Sequence, residues 1–128
     1  MIINTDGASQ GNPGPAAIGV IIRDESNRQL ASISRRIGRT TNNQAEYQAI
    51  IAALERAIKL GASRVELRSD SELVVKQVNG RYRVKNASLK PLYQKVNQLR
   101  NQLVDFRITH VNREQNKEAD RLANKALK

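Results

Sequence analysis

The sequence predicts an α/β fold: a five-stranded mixed sheet flanked by helices, with its first three strands antiparallel. Three observations predict it. Strand-like apolar runs at 1–6, 16–24 and 28–36 precede any helical periodicity. Helical spacing then alternates with two further strand-like runs, at 64–69 and 105–111. The resulting order, β-β-β-α-β-α-α-β-α, joins the early strands by short connections and the later ones by crossovers, which add parallel strands. A chain of 128 residues suits one domain, 1–128, with a core of its own, and no internal repeat or interdomain linker interrupts it.

Each element has its own warrant. Residues 1–6 are apolar until Asp6, and 7–15 form a turn-rich loop, Gly-Ala-Ser-Gln-Gly-Asn-Pro-Gly-Pro. Strands 16–24 and 28–36 are joined by Glu25-Ser26-Asn27, a hairpin-type connection. Thr40 and Thr41 precede a helix over 42–60, whose apolar face carries Ala45, Ala49, Ile50, Ala52, Ala53 and Ile58 and which Gly61 stops. Residues 71–78 give a short helix with Leu73, Val74 and Val78 at helical spacing, ended by Asn79-Gly80. A basic loop over 81–87 leads to a longer helix, 89–103, with Leu89, Leu92, Val96, Leu99 and Leu103 in one stripe. The last strand is followed by a final helix over 114–127.

Composition narrows the function. Apolar residues are 39% of the chain, and no apolar run approaches the roughly 20 residues that span a bilayer. The N-terminus has no basic segment ahead of a signal-type apolar core, so secretion is not expected. There is no cysteine, which excludes disulfides, thiolate zinc sites and a cysteine nucleophile, and fits a cytoplasmic location. Lys and Arg total 22 against 12 for Asp and Glu, a net charge of +10. That favours an anionic partner, nucleic acid ahead of a membrane surface; a generally solvated basic surface is the bland alternative. The only aromatics are Tyr47, Tyr82, Tyr93 and Phe106, too few for a base-stacking platform, so a duplex read through its backbone is the expectation. No apolar excess suggests an obligate protein partner, and a monomer is expected.

Four acids carry the chemistry. Asp6 and Asp70 each follow a strand-like run, and carboxylates at the ends of neighbouring strands project to one sheet edge. Each reads equally as a cap or Asx turn, Asp70 especially, ahead of Ser71-Glu72-Leu73. Glu46 shares a helix face with Ile50, Ala53 and Ala57, where an unpaired charge is costly, so it requires a metal or an arginine partner. Asp120 lies beside the stripe of Ala119, Leu122, Ala123 and Ala126; alone it reads as solvated surface. Four carboxylates with one histidine and no thiol suit hard cations, Mg²⁺ or Mn²⁺. Two such ions roughly 4 Å apart activate a water and stabilise the leaving oxygen of a phosphodiester. Gly11-Asn12-Pro13-Gly14 lacks the Walker spacing and lysine and reads first as a turn.

Five segments resemble type 1 ribonuclease H, in the family's order and spacing, from about residue 2 to 126: Thr5-Asp6-Gly7, Gly11-Asn12-Pro13-Gly14-Pro15, Thr40-Thr41-Asn42-Asn43-Gln44-Ala45-Glu46, Ser69-Asp70-Ser71 and Asn116-Lys117-Glu118-Ala119-Asp120-Arg121-Leu122-Ala123. The resemblance implies the ribonuclease H-like fold and a metal-dependent endonuclease that cuts RNA paired to DNA, leaving 3′-hydroxyl and 5′-phosphate ends. It implies that Asp6, Glu46, Asp70 and Asp120 bind two metal ions, with Asp6 shared. It assigns Gly11, Asn12, Asn43 and Glu46 to the RNA strand, where 2′-hydroxyls distinguish RNA from DNA. Arg39, Thr41, Asn86 and Tyr82 fall to the DNA strand. Glu72 departs from the glutamine common at its position. His110 matches the family's loop histidine, which assists water activation or product release; its loop lacks glycine here, so Arg113 is the alternative. The segment 80–88 is too short for the basic helical protrusion of some members, and no hybrid-binding domain is in the sequence, implying a short form of low processivity. Arg81, Arg83, Lys85, Lys90 and Lys95 offer basic charge in the protrusion's place. Two other readings stand beside this one: a catalytically weak or inert hybrid-binding module, and another nuclease or transposase on the same fold.

Overall fold

The computed structural model describes residues 1–128. Its strands are β1 (Ile2–Ser9), β2 (Gly14–Arg23), β3 (Gln29–Thr40), β4 (Arg64–Ser69) and β5 (Asp105–His110). Its helices are α1 (Asn42–Lys59), α2 (Glu72–Val78), α3 (Lys90–Arg100) and α4 (Lys117–Leu127), the last preceded by a 3₁₀ turn, Arg113–Asn116. The strands form one sheet in the order β3-β2-β1-β4-β5. β1, β2 and β3 pair antiparallel, and β4 pairs parallel with both β1 and β5, as the sequence predicts.

Alternation along the strands assigns the two faces. Ile3 pairs with Ile22, and Ile18, Val20, Ile22, Val65 and Leu67 join Tyr47, Ile50 and Leu54 of α1 in the main core. α2 and α3 extend the α1 layer through Val74, Val96 and Leu99. The opposite face of β1–β3 is covered by α4, which buries Ala119, Leu122 and Ala123, with the preceding 3₁₀ turn against β1. Ser34 of β3 donates its hydroxyl to the Leu122 carbonyl at 2.6 Å, and Arg36 reaches the Ala126 carbonyl at 2.7 Å.

Several boundaries differ from the sequence reading, for local reasons. β1 does not stop at Asp6: Gly7, Ala8 and Ser9 continue the ladder against Ile18, Ala17 and Ala16. β3 runs on to Thr40 because a bulge opposite Ala16/Ala17, with Gly38 at φ +84°, absorbs the slip in register. α3 is shorter at both ends. Leu89 is its cap, Pro91 sits in its first turn, and Leu103 meets the core from the turn beyond it. The final helix is two pieces, because Asn112 and Gln115 form a reciprocal capping box around the 3₁₀ turn before α4 begins.

Candidate active site

The site begins with the register of two parallel strands. Thr5 lies beside Ser69, so the next residues, Asp6 and Asp70, emerge side by side at the carboxyl edge of the sheet. Asp6 stands within β1 rather than at its end, and Asp70 follows β4 directly. Asp70 does not cap α2. That position belongs to Ser71, whose N–H is bonded to the Ser69 hydroxyl at 3.1 Å, so the Asp70 carboxylate is not used as a cap.

Glu46 comes from α1 on one face of the sheet. It is buried, and its Oε1 accepts a 2.6 Å hydrogen bond from the Gly7 N–H. Gly7 permits this closeness: a Cβ there would collide with the backbone of Ala45 and Glu46. No arginine pairs with Glu46, so the ion-pair reading falls. Asp120 comes from α4 on the other face, where Gly19, directly opposite Asp6, plays the matching part. A Cβ on Gly19 would strike the Ala119 carbonyl and the Ala123 nitrogen. Two helices thus close on Asp6 from opposite sides.

Oxygens of Asp6, Glu46 and Asp70 lie within 4.8 Å of one another. Asp120 is outside that group of three but lines the same cleft, near enough for its charge to act on Asp6, and Asn124 donates to its Oδ1 at 3.2 Å. Burial, then the charges of Glu46, Asp70 and Asp120, push the Asp6 carboxyl up to about 9. Burial also pushes Glu46 up, to about 8, against the lowering pull of the Gly7 N–H, with Asp70 and Asp120 adding to the rise. Buried, mutually repelling oxygen donors of this kind are chemically matched to a hard divalent cation.

The acids line an open cleft of about 520 Å³, with His110 and Arg113 on its rim. His110 ends β5 beside Ser69, and Arg113 opens the 3₁₀ turn; both are exposed. Asn42 and Asn124 also line the cleft, and sequence reasoning missed both. Each had a signal: Asn42 follows the Thr41 cap, and Asn124 lies one helical turn beyond Asp120.

The predicted nucleic-acid contacts fall into two places. Asn12 Oδ1 accepts from the Asn42 N–H at 3.0 Å, tying the loop that contains Gly11 to the start of α1, where Asn43 is half-buried. Thr41 is the N-cap of α1, its hydroxyl accepting from the Gln44 N–H at 3.2 Å. Arg39 is exposed at the end of β3. Asn86 and Tyr82 do not line the acidic cleft. Asn86 Oδ1 accepts from the N–H of Ser88 at 2.8 Å, shaping the turn into α3. Tyr82 is half-exposed rather than packed, on a separate groove with Arg81, Arg83, Lys90 and Tyr93. Its ring centroid is 4.9 Å from the Lys76 ammonium. Lys76 also donates to Glu72 at 2.7 Å, and that hydrogen bond and charge hold the Glu72 carboxyl below its ordinary value.

A family model described as reverse transcriptase-like matches residues 4–126. The chain belongs to this family, and its domain is of the ribonuclease H type. It is 47% identical over 122 residues to ribonuclease HI of Halobacterium salinarum, covering 95% of this chain and 61% of that protein. It therefore spans about three-fifths of that curated relative's length. The crystal structure of RNase H1 from Halobacterium salinarum superposes with a TM-score of 0.96 at 45% identity, covering 98% of this chain and 96% of that one. LC11-RNase H1, solved in complex with an RNA/DNA hybrid, matches with a TM-score of 0.92 at 45% identity, over 98% of this chain and 94% of that one. No helix is long and apolar enough to cross a membrane.

Proposed function

We propose that this chain is a metal-dependent endonuclease that hydrolyses the RNA strand of RNA/DNA hybrids, leaving 3′-hydroxyl and 5′-phosphate ends. The convergence of the Asp6, Glu46 and Asp70 oxygens within 4.8 Å at the floor of an open cleft carries the reading. The net charge of +10 and the likeness to LC11-RNase H1 with its bound hybrid support it.

The donor set fits Mg²⁺ or Mn²⁺, with Asp6, Glu46, Asp70 and Asp120 as the residues that hold two ions. Bound there, the ions supply the Lewis acidity that activates a water and stabilises the leaving oxygen. The chain's own residues do the rest. The raised values of Asp6 and Glu46 favour their protonated forms at neutral pH in the metal-free protein, and a bound cation favours release of those protons. Gly11, Asn12, Asn43 and Glu46 meet the RNA strand, and Arg39, Thr41, Asn86 and Tyr82 the DNA strand. His110 or Arg113, on the cleft rim, assists the water or product release. The protein acts as a cytoplasmic monomer.

A labelled RNA strand paired to DNA, incubated with Mg²⁺, Mn²⁺ or EDTA, tests the reading. Single-stranded RNA, double-stranded RNA and double-stranded DNA run alongside. Metal-dependent internal cuts confined mainly to the hybrid, and lost in Asp70→Asn, are expected. Hybrid binding without cleavage in either metal would replace the enzyme by a binding module.

A further inference from the structure

Asn116 occupies the N-cap position of α4, where an asparagine side chain ordinarily bonds to the first-turn N–H groups. It makes no such bond. The side chain turns away from its own helix and is almost wholly buried, at 1% exposure. Its Nδ2 donates to the Thr5 carbonyl at 2.9 Å, and its Oδ1 accepts from Asn4 Nδ2 at 3.0 Å. Asn4 Nδ2 also approaches the Gln115 carbonyl, at 3.5 Å. Both asparagines are buried, Asn4 at 8% exposure, at the edge of a polar pocket also lined by Arg23, Gln115 and Glu118. There, each unmade bond would leave a polar group without water.

The location gives this anchor a consequence. Asn4 and Asp6 are two residues apart on β1 and face the same side of the sheet. Asn116 and Asp120 are four apart in sequence, one helical turn, and share a face of α4. The first members of the two pairs are bonded to each other, and the second members line the same cleft. Apolar packing of Ala119, Leu122 and Ala123 fixes how far α4 stands from the sheet, but nothing in it is directional. Arg23, Ser34 and Arg36 add polar ties from β2 and β3 to Glu118, Leu122 and Ala126, but the two asparagine bonds are the ones that join the start of the helix to β1.

We propose that Asn116, backed by Asn4, is a positioning residue: it sets the placement of Asp120 against Asp6, and so completes the acid cluster from the α4 side. The proposal rests on the metal-dependent reading of the cluster above. It extends that reading to two neutral residues that do not touch the cleft acids' carboxylates.

A cleavage assay and a Mn²⁺ titration, run as a double-mutant cycle, test it. Hybrid cleavage and Mn²⁺ affinity, the latter by calorimetry without nucleic acid, are measured for the parent, Asn116→Ala, Asp120→Asn and the double variant. Asn116→Ala is expected to lower kcat roughly tenfold or more, as misplacement of a reacting group does, with KM for hybrid unchanged. It also weakens Mn²⁺ binding several-fold. In the Asp120→Asn background the same substitution changes neither quantity further, because the residue it acts through is already gone. Equal losses in both backgrounds would overturn the proposal and leave Asn116 a stability residue only. If Asn116→Ala does not fold, Asn4→Ala removes one of its two bonds and takes its place, with a smaller loss of the same non-additive pattern; additive losses there overturn the proposal equally. Should the parent cleave no hybrid, the functional reading fails separately, while the Mn²⁺ titrations still decide the role of Asn116.

Discussion

The two faces of the sheet reach Asp6 by the same geometric device and differ in what surrounds it. On the α1 face, Gly7 lets the helix backbone touch the strand, and Glu46 arrives buried, with one oxygen held by the Gly7 N–H. A large apolar core lies behind it. On the α4 face, Gly19 permits the same approach, but the helix buries only small residues and leucine, is tied by asparagines, and delivers an acid that is partly open to solvent. Rigidity follows burial. Glu46 is buried and held by the Gly7 N–H, whereas Asp120 is held through its helix and through Asn124.

This difference ranks the expected effects. The largest is on activity: Glu46→Gln should abolish Mg²⁺-dependent hybrid cleavage, whereas Asp120→Asn, outside the group of three acids, should leave a measurable rate. Equal rates in a cleavage assay would erase the distinction between the faces. Next come the glycines. Gly7→Ala and Gly19→Ala each overpack a helix–sheet contact and should cost about 1–3 kcal/mol or more, read from denaturant midpoints. Gly7→Ala should cost more, because it also displaces the Glu46 hydrogen bond and disturbs the larger core.

The third effect is of pH. In the metal-free protein the folded state keeps protons on Asp6 and Glu46 that the unfolded chain releases at about pH 4. Their raised values mean that stability is greatest at or below the unfolded range. It falls as pH rises, until the two groups have titrated at about 8 and about 9. Thermal melts at pH 5, 7 and 9 should show the midpoint dropping, and saturating Mg²⁺ should flatten the trend. A midpoint that rises over this range would contradict clustering of the acids. The smallest effect is Thr41→Ala, which removes the α1 cap and should cost about 1 kcal/mol in urea unfolding. A simultaneous rise in KM for hybrid would separate the residue's proposed DNA contact from its capping bond.

Much of this was legible in the sequence. The element order follows from periodicity, and the anomaly of a glutamate on an apolar helix face correctly marks Glu46 as buried. What was not legible depends on pairing across long separations. Nothing local tells that Gly7 continues a strand rather than opening a loop; that follows from its partner, Ile18. Nothing local tells that Gly19 lies opposite Asp6, or that Asn116 abandons its own helix for Thr5. Asparagine ahead of a helix reads as a cap, and here Asn112 and Asn116 look alike in sequence. One caps and the other bridges.

The parallel pairing of β1 with β4 has a kinetic consequence. Asp6 and Asp70 become neighbours only when the whole α1 crossover has closed, since Thr5 and Ser69 are register partners across it. Contacts of such long sequence separation are slow to form, because loop-closure entropy has to be met before they reward it. If this pairing completes after the folding barrier, repulsion among the acids is felt in the native state and little at the barrier. A divalent cation that relieves it should slow unfolding and leave refolding nearly unchanged, so that only the unfolding limb of the chevron moves.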